Sequence, residues 1–396
     1  MKTLDRIFSL NFSGFEKDIN NNIGEIKKII ENGRFLVIGG AGSIGQSVSK
    51  EILKRNPRLL HVIDINENNL VELVRDIRSS LGYLKGEFKT FVIDILSDEF
   101  SNALDKLGPY DYILNLSAIK HVRSEKDPYT LLRMINVNIL STISLLKKAE
   151  EMKAKKYFSV STDKASNPVN MMGASKRIME LFLFEKSDML DISTARFANV
   201  AFSDGSLLHS FHQRFLKKQP ITAPYDIERY FINSKEAGEL CLLACILGKN
   251  RDIFFPKLNS ELKLISFTEI AKRFLKERGF EVHLCSSEEE AREDINKYIK
   301  NKRWPCLFFE SDTTGEKKFE EFFSSDDLLD LDSFQSIGII KNLYCSNKES
   351  LESFLEKLNF LKNSNNFNKK DFVKLFSEIL PDFKHLEKDK YLDEKM

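Results

Sequence analysis

The chain has 396 residues, 42% hydrophobic and 30% charged, so it is neither a fibre nor a disordered tail and is long enough for two globular domains. Sixty Lys and Arg residues against 59 Asp and Glu leave a net charge of +1, which removes the electrostatic argument for a nucleic-acid or acidic-membrane partner. Residues 1–22 carry frequent charges and no apolar run long enough for a signal peptide or a membrane span. We therefore expect no nucleic-acid partner and no membrane span.

The five cysteines carry no metal-binding or disulfide signature. They form no Cys-x-x-Cys pair and have no histidine at metal-ligand spacing. We predict reduced thiols in a cytoplasmic protein, with no metal site. The five are Cys241, Cys245, Cys285, Cys306 and Cys345.

The first strong pattern is a strand, a glycine-rich loop and a helix. Residues 34–38 form an apolar run typical of a buried parallel strand. Gly39, Gly42 and Gly45 follow, ahead of an amphipathic helix. In such a loop the first glycine permits a tight turn, the second lets backbone amides approach a pyrophosphate, and the third lets the helix pack closely on the strand. An ordinary glycine turn is the alternative, and the loop alone is weak evidence.

The next strand, residues 59–64, ends in Asp64, 19 residues after Gly45. This is close to the spacing of an acid that bonds the ribose hydroxyls of an adenosine, and its charge would repel a 2′-phosphate. Ile65 and Asn66 follow without an arginine, so the sequence favours NAD over NADP.

Two further strands complete the predicted dinucleotide-binding unit. Residues 91–95 have the form that brackets an adenine, and residues 112–118 end in small residues where a cofactor passes. The candidate cofactor-binding residues are Gly39, Gly42, Ser43, Ile44, Gly45, Asp64, Ile65, Asn66, Asp94, Ile95, Leu116, Ser117, Ala118, Lys120, Asn138 and Lys176.

A strand over residues 156–161 delivers Thr162, Asp163 and Lys164 to a loop, and Lys176 opens a helix 12 residues after Lys164. In short-chain dehydrogenases such a second lysine ends a Tyr-x-x-x-Lys pair, but here the tyrosine position is Met172. A thioether can neither give nor take a proton, so an oxidation at this site needs another base. An Asp-Lys pair is more often a solvated surface pair, but its place at the end of a buried strand favours an active-site role.

Four segments, residues 118–122, 161–168, 172–177 and 196–200, together with the glycine spacing, resemble the nucleotide-sugar 4,6-dehydratases of the extended short-chain dehydrogenase/reductase superfamily. The resemblance covers about residues 34–235 and continues weakly to 315–321. Methionine at the tyrosine position is a feature of the UDP-N-acetylglucosamine 4,6-dehydratase branch, which retains configuration at C5.

The sequence departs from that family at several places. Ser117-Ala118, residues 138–142 and the loop 202–207 differ from the family pattern, and Thr313-Thr314 stands where the family has Arg-Pro. The last change lies at the nucleotide end of the site, so the choice between UDP and GDP stays open.

The resemblance implies a Rossmann-type doubly wound parallel sheet with a smaller α/β C-terminal substrate domain, and a homo-oligomer. We expect an N-terminal helical lead over residues 1–33, an NAD-binding domain over 34–200, a partly interleaved substrate domain over 201–362, and a linker and helical tail over 363–396.

The residues also predict roles in a dehydration. Lys164 would remove the C5 proton, with its pKa lowered by burial or by Lys176, and Asp163 would be the acid at the C6 hydroxyl. Thr162 would bond the C4 oxygen, and Lys176 the nicotinamide ribose. The candidate substrate-binding residues are Lys120, His121, Asn199, Ser206, Arg229 and Glu316.

Two of these assignments have close alternatives. The guanidinium of Arg229 suits a diphosphate, but a structural ion pair with Glu228 or Asp226 is almost equally expected. His121 is expected to contact the ligand without transferring a proton.

Three other functions remain open. They are a GDP-N-acetylglucosamine 4,6-dehydratase, a nucleotide-sugar 4-epimerase, and a non-catalytic dinucleotide-sensing protein. Epimerases of this fold rely on the tyrosine that Met172 replaces, and the intact Thr162-Asp163-Lys164 argues against a sensor.

The C-terminal half alternates strand-like and helix-like segments, which indicates a small α/β unit. Strands are predicted at 252–255, 281–284 and 307–309, and helices at 266–278 and 287–300. Residues 363–368 read as a polar linker. The tail after it has an apolar helical face, which we expect to dock on the body or on a second subunit; the face consists of Phe372, Leu375, Phe376 and Ile379.

Overall fold

The computed structural model describes residues 2–8, 14–258, 262–293, 295–342, 347–364 and 366–391. Cys345 and the last five residues of the predicted tail lie outside the described residues. The four described cysteines are free and buried, as predicted for reduced thiols. Burial raises the pKa of Cys245 to about 12, so this thiol stays protonated.

A nine-stranded sheet forms the centre of the fold. Its strands are β1 (Arg34–Ile38), β2 (Leu59–Asp64), β3 (Glu87–Val92), β4 (Tyr112–Asn115), β5 (Lys156–Thr162), β6 (Ile192–Phe197), β11 (Asp252–Pro256), β15 (Leu329–Asp330) and β16 (Ile337–Lys341). They lie in the order β15-β16-β11-β6-β5-β4-β1-β2-β3. All pairs from β11 to β3 are parallel, and β16 and β15 extend the sheet by antiparallel pairing. The predicted doubly wound parallel sheet is confirmed.

Apolar side chains from each central strand enter two cores. Phe35 and Val37 of β1 pack into the core on one face of the sheet, and Leu36 and Ile38 into the core on the other. Successive side chains of a strand point to opposite faces, so a strand that is apolar at every position must be covered on both sides.

Helices cover both faces of the large sheet and also build the rest of the fold. They are α1 (Lys2–Phe8), α2 (Glu16–Asn21), α3 (Ile23–Asn32), α4 (Ser43–Leu53), α5 (Glu67–Ser80), α6 (Asp98–Leu107), α7 (Pro128–Ile135), α8 (Ser141–Glu151), α9 (Met171–Glu185), α10 (Leu207–Leu216), α11 (Ser234–Leu247), α12 (Phe267–Lys276), α13 (Glu288–Arg292), α14 (Ile295–Lys300), α15 (Lys348–Asn363) and α16 (Lys369–Ile379). A π-helical turn, Asn136–Leu140, joins α7 to α8. Helices α2 to α5 and α11 contribute to one core, and α6, α8 and α9 to the other.

A smaller unit is built on three parallel strands in the order β13-β14-β8. These are β8 (Ile221–Pro224), β13 (Glu281–Leu284) and β14 (Arg303–Phe309), packed with α10 and α12 around Trp304. Two short pairs connect it to the large sheet: β7 (Asn199–Val200) with β10 (Phe231–Ile232), and β9 (Glu228–Arg229) with β12 (Ile265–Ser266).

Two sequence expectations for this half need correction. The strand near residues 252–255 belongs to the large sheet, where β11 pairs with β6, and not to the small unit. The helix expected over 287–300 is interrupted, because Glu293 has extended backbone angles after α13.

The C-terminal helices pack on their own chain. The four residues of the predicted apolar face are buried in a core shared by α7, α9, α15 and α16, where Phe354 and Phe376 meet with ring centroids 5.9 Å apart. The predicted helix after residue 369 is therefore present, and its apolar face covers α9.

One helical segment among the described residues is long and apolar enough, by length and composition, to cross a membrane. It is Pro128–Glu151, in which an 18-residue window has a mean hydropathy of 1.3 and 56% of that window is buried inside the fold. No such segment was expected from the sequence. The burial is typical of a core helix, so the segment is weak evidence for a membrane span.

Candidate active site

A cavity of about 630 Å³ lies where the carboxyl ends of β1, β4, β5 and β6 face the small unit. In parallel α/β sheets this edge is the usual ligand-binding position. The predicted site residues that line it are Gly39, Gly42, Ser43, Ile44, Gly45, Leu116, Ala118, Lys120, His121, Thr162, Asp163, Lys164, Met172, Lys176, Asn199, Ser206, Arg229 and Glu316.

The remaining predicted residues lie outside the lining of this cavity; they are Asp64, Ile65, Asn66, Asp94, Ile95, Ser117 and Asn138. Asp64 stays beside the glycine loop, where its Oδ2 accepts a hydrogen bond from Ala41 N at 2.9 Å. Asp94 is paired with Arg133 Nη2 at 2.9 Å.

Asn138, a predicted cofactor contact, lies outside the lining of the cavity. Its fully buried amide exchanges hydrogen bonds with Ile119 N and O, at 2.9 and 3.1 Å, and its Nδ2 donates to Ser175 Oγ at 2.9 Å. The π-helical turn directs this side chain under the loop that follows β4. Asn138 therefore supports that loop from below.

The glycine loop has the geometry of a phosphate cradle. Gly39 has φ +72°, and a Cβ there would lie 2.7 Å from Ser117 N. A Cβ on Gly45 would lie 2.3 Å from Gly39 O, so α4 can approach β1 only without a side chain. At Gly42, which caps α4, a Cβ would meet nothing closer than 3.5 Å, and glycine offers no side chain that could bond the first amides of the helix. The first amides of α4 are thus exposed to an anion, and the loop fits the diphosphate of a dinucleotide.

A second loop, residues 202–206, closes over the glycine loop. Asp204 O accepts a hydrogen bond from Lys120 Nζ at 2.8 Å, and Asp204 N donates to Ser43 Oγ at 3.1 Å. Gly205, with φ +71°, lies so near His121 that a Cβ would be 2.9 Å from Nε2. Burial, with the charges of Lys120 and Arg123, lowers the pKa of His121, so its imidazole is neutral at neutral pH.

Thr162, Asp163 and Lys164 form one hydrogen-bonded group at the end of β5. Asp163 Oδ1 accepts from Thr162 Oγ1 at 2.8 Å, from Lys164 N at 2.8 Å and from Lys164 Nζ at 3.0 Å. A 3-10 turn over Asp163–Ala165 turns adjacent side chains towards one ligand. Gly173 of α9 fits under this turn, since a Cβ there would lie 2.4 Å from Lys164 O.

The charge state of Lys164 differs from the sequence expectation. Burial alone would lower the pKa of Lys164, but the carboxylates of Asp163 and Glu320 outweigh burial and raise it. Glu320 Oε1 lies 3.7 Å from Lys164 Nζ. Glu320 is 156 positions from Lys164, and a contact over that distance cannot be recognised from the local sequence. For this reason the predicted lowering of the Lys164 pKa was wrong.

Lys176 and Met172 form the wall between the glycine loop and Asp163. Lys176 Nζ donates to Val160 O at 3.0 Å, and burial lowers its pKa to about 8 although the charge of Glu180 opposes this. Met172 is 4% exposed and offers only a thioether to the cavity. Below Lys176, Arg196 holds Glu180 through two hydrogen bonds of 3.0 and 2.8 Å.

The guanidinium of Arg229 mainly donates hydrogen bonds to backbone carbonyls, including those of residues 317–318. Its Nη1 donates to the carbonyls of Glu228, Lys317 and Lys318 at 2.8, 2.9 and 3.1 Å. Its ion pairs are with Glu316 and Glu320, at 3.5 and 3.7 Å, and not with Glu228 or Asp226 as the sequence alternative had it. Only part of the guanidinium can face a diphosphate.

The end of the cavity at which we expect the nucleotide, called the nucleotide end, is built from the segment 311–316 and from the C-terminal tail. Glu316 Oε2 accepts from Ser311 Oγ and Thr313 Oγ1 at 2.7 and 2.8 Å. Gly315 N donates to Leu386 O and Thr314 N to Lys390 O, both at 2.8 Å. These bonds bring Tyr391 into the cavity wall.

Sequence reasoning missed several lining residues, namely Arg123, Arg214, Glu320 and Tyr391. Of these residues, only Glu320 could have been found from the sequence. It follows the Gly315-Glu316-Lys317 motif, within the weaker part of the family resemblance, but no role was assigned to it. The others come from a short helical turn, α10 and the tail, where single polar residues carry no motif.

Two groups of possible metal ligands occur in the described residues: His283, Cys285 and Glu290, and Glu125, His385 and Glu387. In the second group Lys369 Nζ lies 3.6 Å from Glu125 Oε1 and also pairs with Glu387. An ammonium therefore already supplies the positive charge there.

The chain is similar to several proteins of known sequence. A family model described as "Polysaccharide biosynthesis protein" matches residues 35–342. The "Uncharacterized membrane protein MJ1061" of Methanocaldococcus jannaschii is 28% identical over 366 residues, which are 85% of this chain and 99% of that protein. The UDP-glucose 4-epimerase of Rickettsia typhi is 30% identical over 281 residues, 65% of this chain and 79% of the epimerase.

The capsular polysaccharide biosynthesis protein CapD of Staphylococcus aureus is 27% identical over 309 residues, which cover 76% of this chain and 47% of CapD. The chain thus spans about half the length of CapD.

Solved structures share the fold. Pen from Bacillus thuringiensis superimposes with a TM-score of 0.65 at 21% identity, covering 84% of this chain and 99% of Pen. DesIV from Streptomyces venezuelae, a dTDP-glucose 4,6-dehydratase with NAD and TYD bound, superimposes with a TM-score of 0.56 at 18% identity, covering 73% and 87%. With the family model matching most of its length, the chain belongs to the polysaccharide biosynthesis protein family and has the α/β fold of extended short-chain dehydrogenases/reductases.

Proposed function

We propose that the protein is an NAD-dependent nucleotide-sugar 4,6-dehydratase that acts on UDP-N-acetylglucosamine. The observation that carries the proposal is the hydrogen-bonded group of Thr162, Asp163 and Lys164 in the cavity, opposite a methionine at the tyrosine position. Two acid-base residues replace one tyrosine, and a dehydration needs both a base and an acid.

NAD is the cofactor that the residues fit. The glycine loop offers free helix amides to a diphosphate, and Asp64 beside it would bond ribose hydroxyls and repel a 2′-phosphate. Lys176 Nζ reaches the cavity beyond the loop and can hold the nicotinamide ribose. DesIV and other proteins with this fold were solved with NAD bound.

A 4,6-dehydration oxidises C4 of the sugar, removes water across C5 and C6, and reduces C6. Bound NAD would supply the hydride acceptor for the first step and the donor for the last, and would end unchanged. The protein must therefore move only protons.

The geometry gives each proton a path. Thr162 Oγ1 lies 2.8 Å from Asp163 Oδ1, so the proton of the C4 hydroxyl can pass through Thr162 to Asp163. Asp163 then gives this proton to the C6 hydroxyl, which leaves as water. Lys164 removes the C5 proton, which the C4 ketone has made acidic, and returns it after reduction of C6.

Epimerisation at C4 is the competing outcome, because one relative is a UDP-glucose 4-epimerase. That reaction needs one residue to take and return the C4 hydroxyl proton at the tyrosine position. Met172 cannot do so. The two reactions differ in product mass, since an epimer keeps the mass of its substrate.

The test is incubation of the purified protein with UDP- and GDP-N-acetylglucosamine, followed by mass spectrometry and NMR. We expect UDP-sugar to yield a 4-keto-6-deoxy product lighter by one water, without net NADH. A product of unchanged mass, or stoichiometric release of NADH, would refute the dehydratase. Conversion of GDP-sugar alone would refute the nucleotide assignment.

The stereochemistry at C5 follows from a single base. Because Lys164 takes and returns the proton on one face of the ring, we propose retention, giving the D-xylo 4-keto sugar, with one solvent deuteron at C5 when the reaction runs in D₂O. NMR couplings of H5 that show the L-arabino sugar as the first product would contradict this.

A further inference from the structure

Glu320 is a buried carboxylate that lines the active-site cavity without a hydrogen bond. It is 3% exposed, and neither of its oxygens has a hydrogen-bond partner among the residues that the structure describes. A buried, unbonded carboxylate is costly, by roughly 1–3 kcal/mol or more for the missing bonds alone. Such a group in a reaction cavity needs a reason beyond packing.

The chain holds Glu320 firmly in this place. Arg229 Nη1 binds the carbonyls of Lys317 and Lys318, at 2.9 and 3.1 Å, on one side of Glu320. On the other side Arg196 Nη1 binds Phe322 O at 2.8 Å. Both arginines are almost fully buried, so the segment cannot easily turn Glu320 out to solvent.

Three cations and one carboxylate surround Glu320. Lys164 Nζ and Arg229 Nη2 each lie 3.7 Å from Oε1, and Lys317 Nζ lies 4.0 Å from Oε2. Asp163 acts on Glu320 as a like charge, and burial is the largest influence raising the pKa of Glu320. Of these cations, Arg229 also contacts a backbone carbonyl and Glu316.

The environment of Lys164 poses a problem for its role as a base. Between the carboxylates of Asp163 and Glu320, at 3.0 and 3.7 Å, Lys164 rests as an ammonium, and an ammonium cannot accept the C5 proton. Asp163 is already committed to the proton that moves from the C4 hydroxyl to the C6 hydroxyl. The proton of Lys164 therefore needs a different acceptor.

We propose that Glu320 accepts this proton and so converts Lys164 into the amine that acts on C5; this rests on the proposed dehydratase function. One N–H bond of Lys164 breaks and one O–H bond forms on Glu320, so an ion pair becomes a neutral pair. Lys164 then takes the C5 proton and returns it to C5, and Glu320 finally returns its own proton to Lys164. The pair of Lys164 and Glu320 gains and loses no net proton over the cycle, while the N–H protons of Lys164 exchange with solvent between cycles and so can deliver a deuteron to C5 in D₂O. Exclusion of water by the bound sugar favours the neutral pair, because a low-dielectric environment penalises charge separation. Glu320 is thus a positioning residue that sets the protonation state of Lys164.

The test compares Glu320→Gln with Glu321→Gln. Glu321 is the matched control, because it has the same side chain, is exposed, and accepts a hydrogen bond from Asn167 Nδ2 at 3.0 Å outside the cavity. The readout is exchange of the C5 proton in D₂O, measured by NMR, together with binding of NAD and UDP-sugar and the appearance of bound NADH.

We expect Glu320→Gln to bind NAD and UDP-sugar within about threefold of wild type and to form bound NADH, but to exchange the C5 proton about 10²–10⁴ times more slowly, the typical loss of a general base. Its remaining rate should rise with pH, as hydroxide takes over removal of the Lys164 proton, while wild type and Glu321→Gln vary much less. Glu320→Asp, which keeps a carboxylate, should recover part of the exchange.

Wild-type exchange in Glu320→Gln, equal loss in Glu320→Asp and Glu320→Gln, or loss of C4 oxidation together with C5 exchange would each overturn the role of Glu320. Failure of the proposed function looks different. In that case the wild-type protein itself would neither dehydrate the sugar nor exchange its C5 proton.

Discussion

The ammonium of Lys164 contacts the same oxygen of Asp163 that accepts the hydrogen bond of Thr162. In the proposed mechanism, this shared oxygen restricts the sequence in which the protons can move. Asp163 Oδ1 accepts hydrogen bonds from both Thr162 Oγ1 and Lys164 Nζ. In the proposed mechanism, the carboxylate can relay the C4 hydroxyl proton only while Lys164 has a separate acceptor for its own proton.

Replacing Lys164 by methionine should stop the reaction after oxidation. The variant Lys164→Met keeps the length of the side chain but has no group that can take the C5 proton, so binding of NAD and UDP-sugar should change little. We expect no released product and up to one bound NADH per site, seen by absorbance. Lys147→Met, which changes an exposed lysine outside the cavity, is the control. Turnover at the wild-type rate in Lys164→Met would refute the base assignment.

Lys176 makes the apo protein sensitive to pH. Burial lowers its pKa from 10.5 to about 8, so between these values the folded protein binds fewer protons than the unfolded chain. Stability must then rise with pH across this window, and the cost of burying the ammonium is fully present below about pH 8.

The variant Lys176→Met should therefore be more stable than wild type at pH 7 in the absence of dinucleotide, by about 3 kcal/mol at 1.36 kcal/mol per pKa unit. The gain should shrink towards pH 10, and NAD binding should weaken. Urea unfolding at the two pH values measures this, with the exposed Lys147→Met as control. A gain that is the same at both pH values would contradict the lowered pKa.

Single residues in motifs were predictable from the sequence, but their charge states were not. Thr162, Asp163, Lys164 and Lys176 reach the cavity as predicted, because the end of a buried strand fixes where the following residues lie. The raised pKa of Lys164 depends on Glu320, which reaches it through tertiary contact, and no local pattern reveals such a neighbour.

At the scale of elements, the start of α9 sets the position of the catalytic turn. Asn170 caps this helix by accepting from Gly173 N at 2.8 Å, and its Nδ2 donates to Gly315 O at 2.8 Å. The helix start thereby joins the turn after β5 to the nucleotide end of the cavity. A small shift of α9 would move both.

Gly173→Ala should produce such a shift. The new Cβ would lie 2.4 Å from Lys164 O, so the turn must move, at a cost of about 1–3 kcal/mol. We expect kcat to fall with little change in NAD affinity, since the glycine loop is not touched. Kinetics and thermal unfolding measure this.

The matched control is Gly24→Ala in α3, where an added Cβ meets nothing within 4 Å. It should stabilise the protein by about 0.5 kcal/mol through loss of backbone freedom in the unfolded chain. An unchanged kcat in Gly173→Ala would show that Lys164 does not depend on this packing.

Strands of the large sheet were predictable because parallel strands buried on both faces are continuous apolar runs. The same reasoning assigned β11 to the wrong sheet, because an apolar sequence does not indicate which sheet a strand joins. The π-helical turn at Asn136–Leu140 was invisible for a related reason. An extra residue in a helical turn changes side-chain direction without changing composition, and Asn138, within this turn, bonds Ile119 and lies outside the cavity lining.

At the scale of the whole molecule, the C-terminal helices complete the core around α9. Phe376 is fully buried there, while Phe360 on the adjoining helix α15 is 74% exposed. Composition alone does not indicate which of these two phenylalanines is buried. The spacing of the apolar residues in α16 predicted the burial of Phe376.

Phe376→Ala should destabilise the protein by about 3–5 kcal/mol, the usual cost of emptying a buried phenylalanine site. Phe360→Ala should change stability by no more than about 0.5 kcal/mol. Urea unfolding of both variants gives the comparison. Similar losses in the two would mean that α16 does not pack on α9 as described.

Tyr391 lies late in the sequence, so the part of the cavity wall to which it belongs is synthesised late. A chain leaving the ribosome presents the glycine loop, Asp64 and the turn after β5 within its first half. The wall that contains Tyr391 forms only after α15 and α16 have been synthesised and have folded back on α9, with Leu386 and Lys390 bonded to the segment at Thr314 and Gly315. The cavity can therefore close only when synthesis of the chain is almost complete.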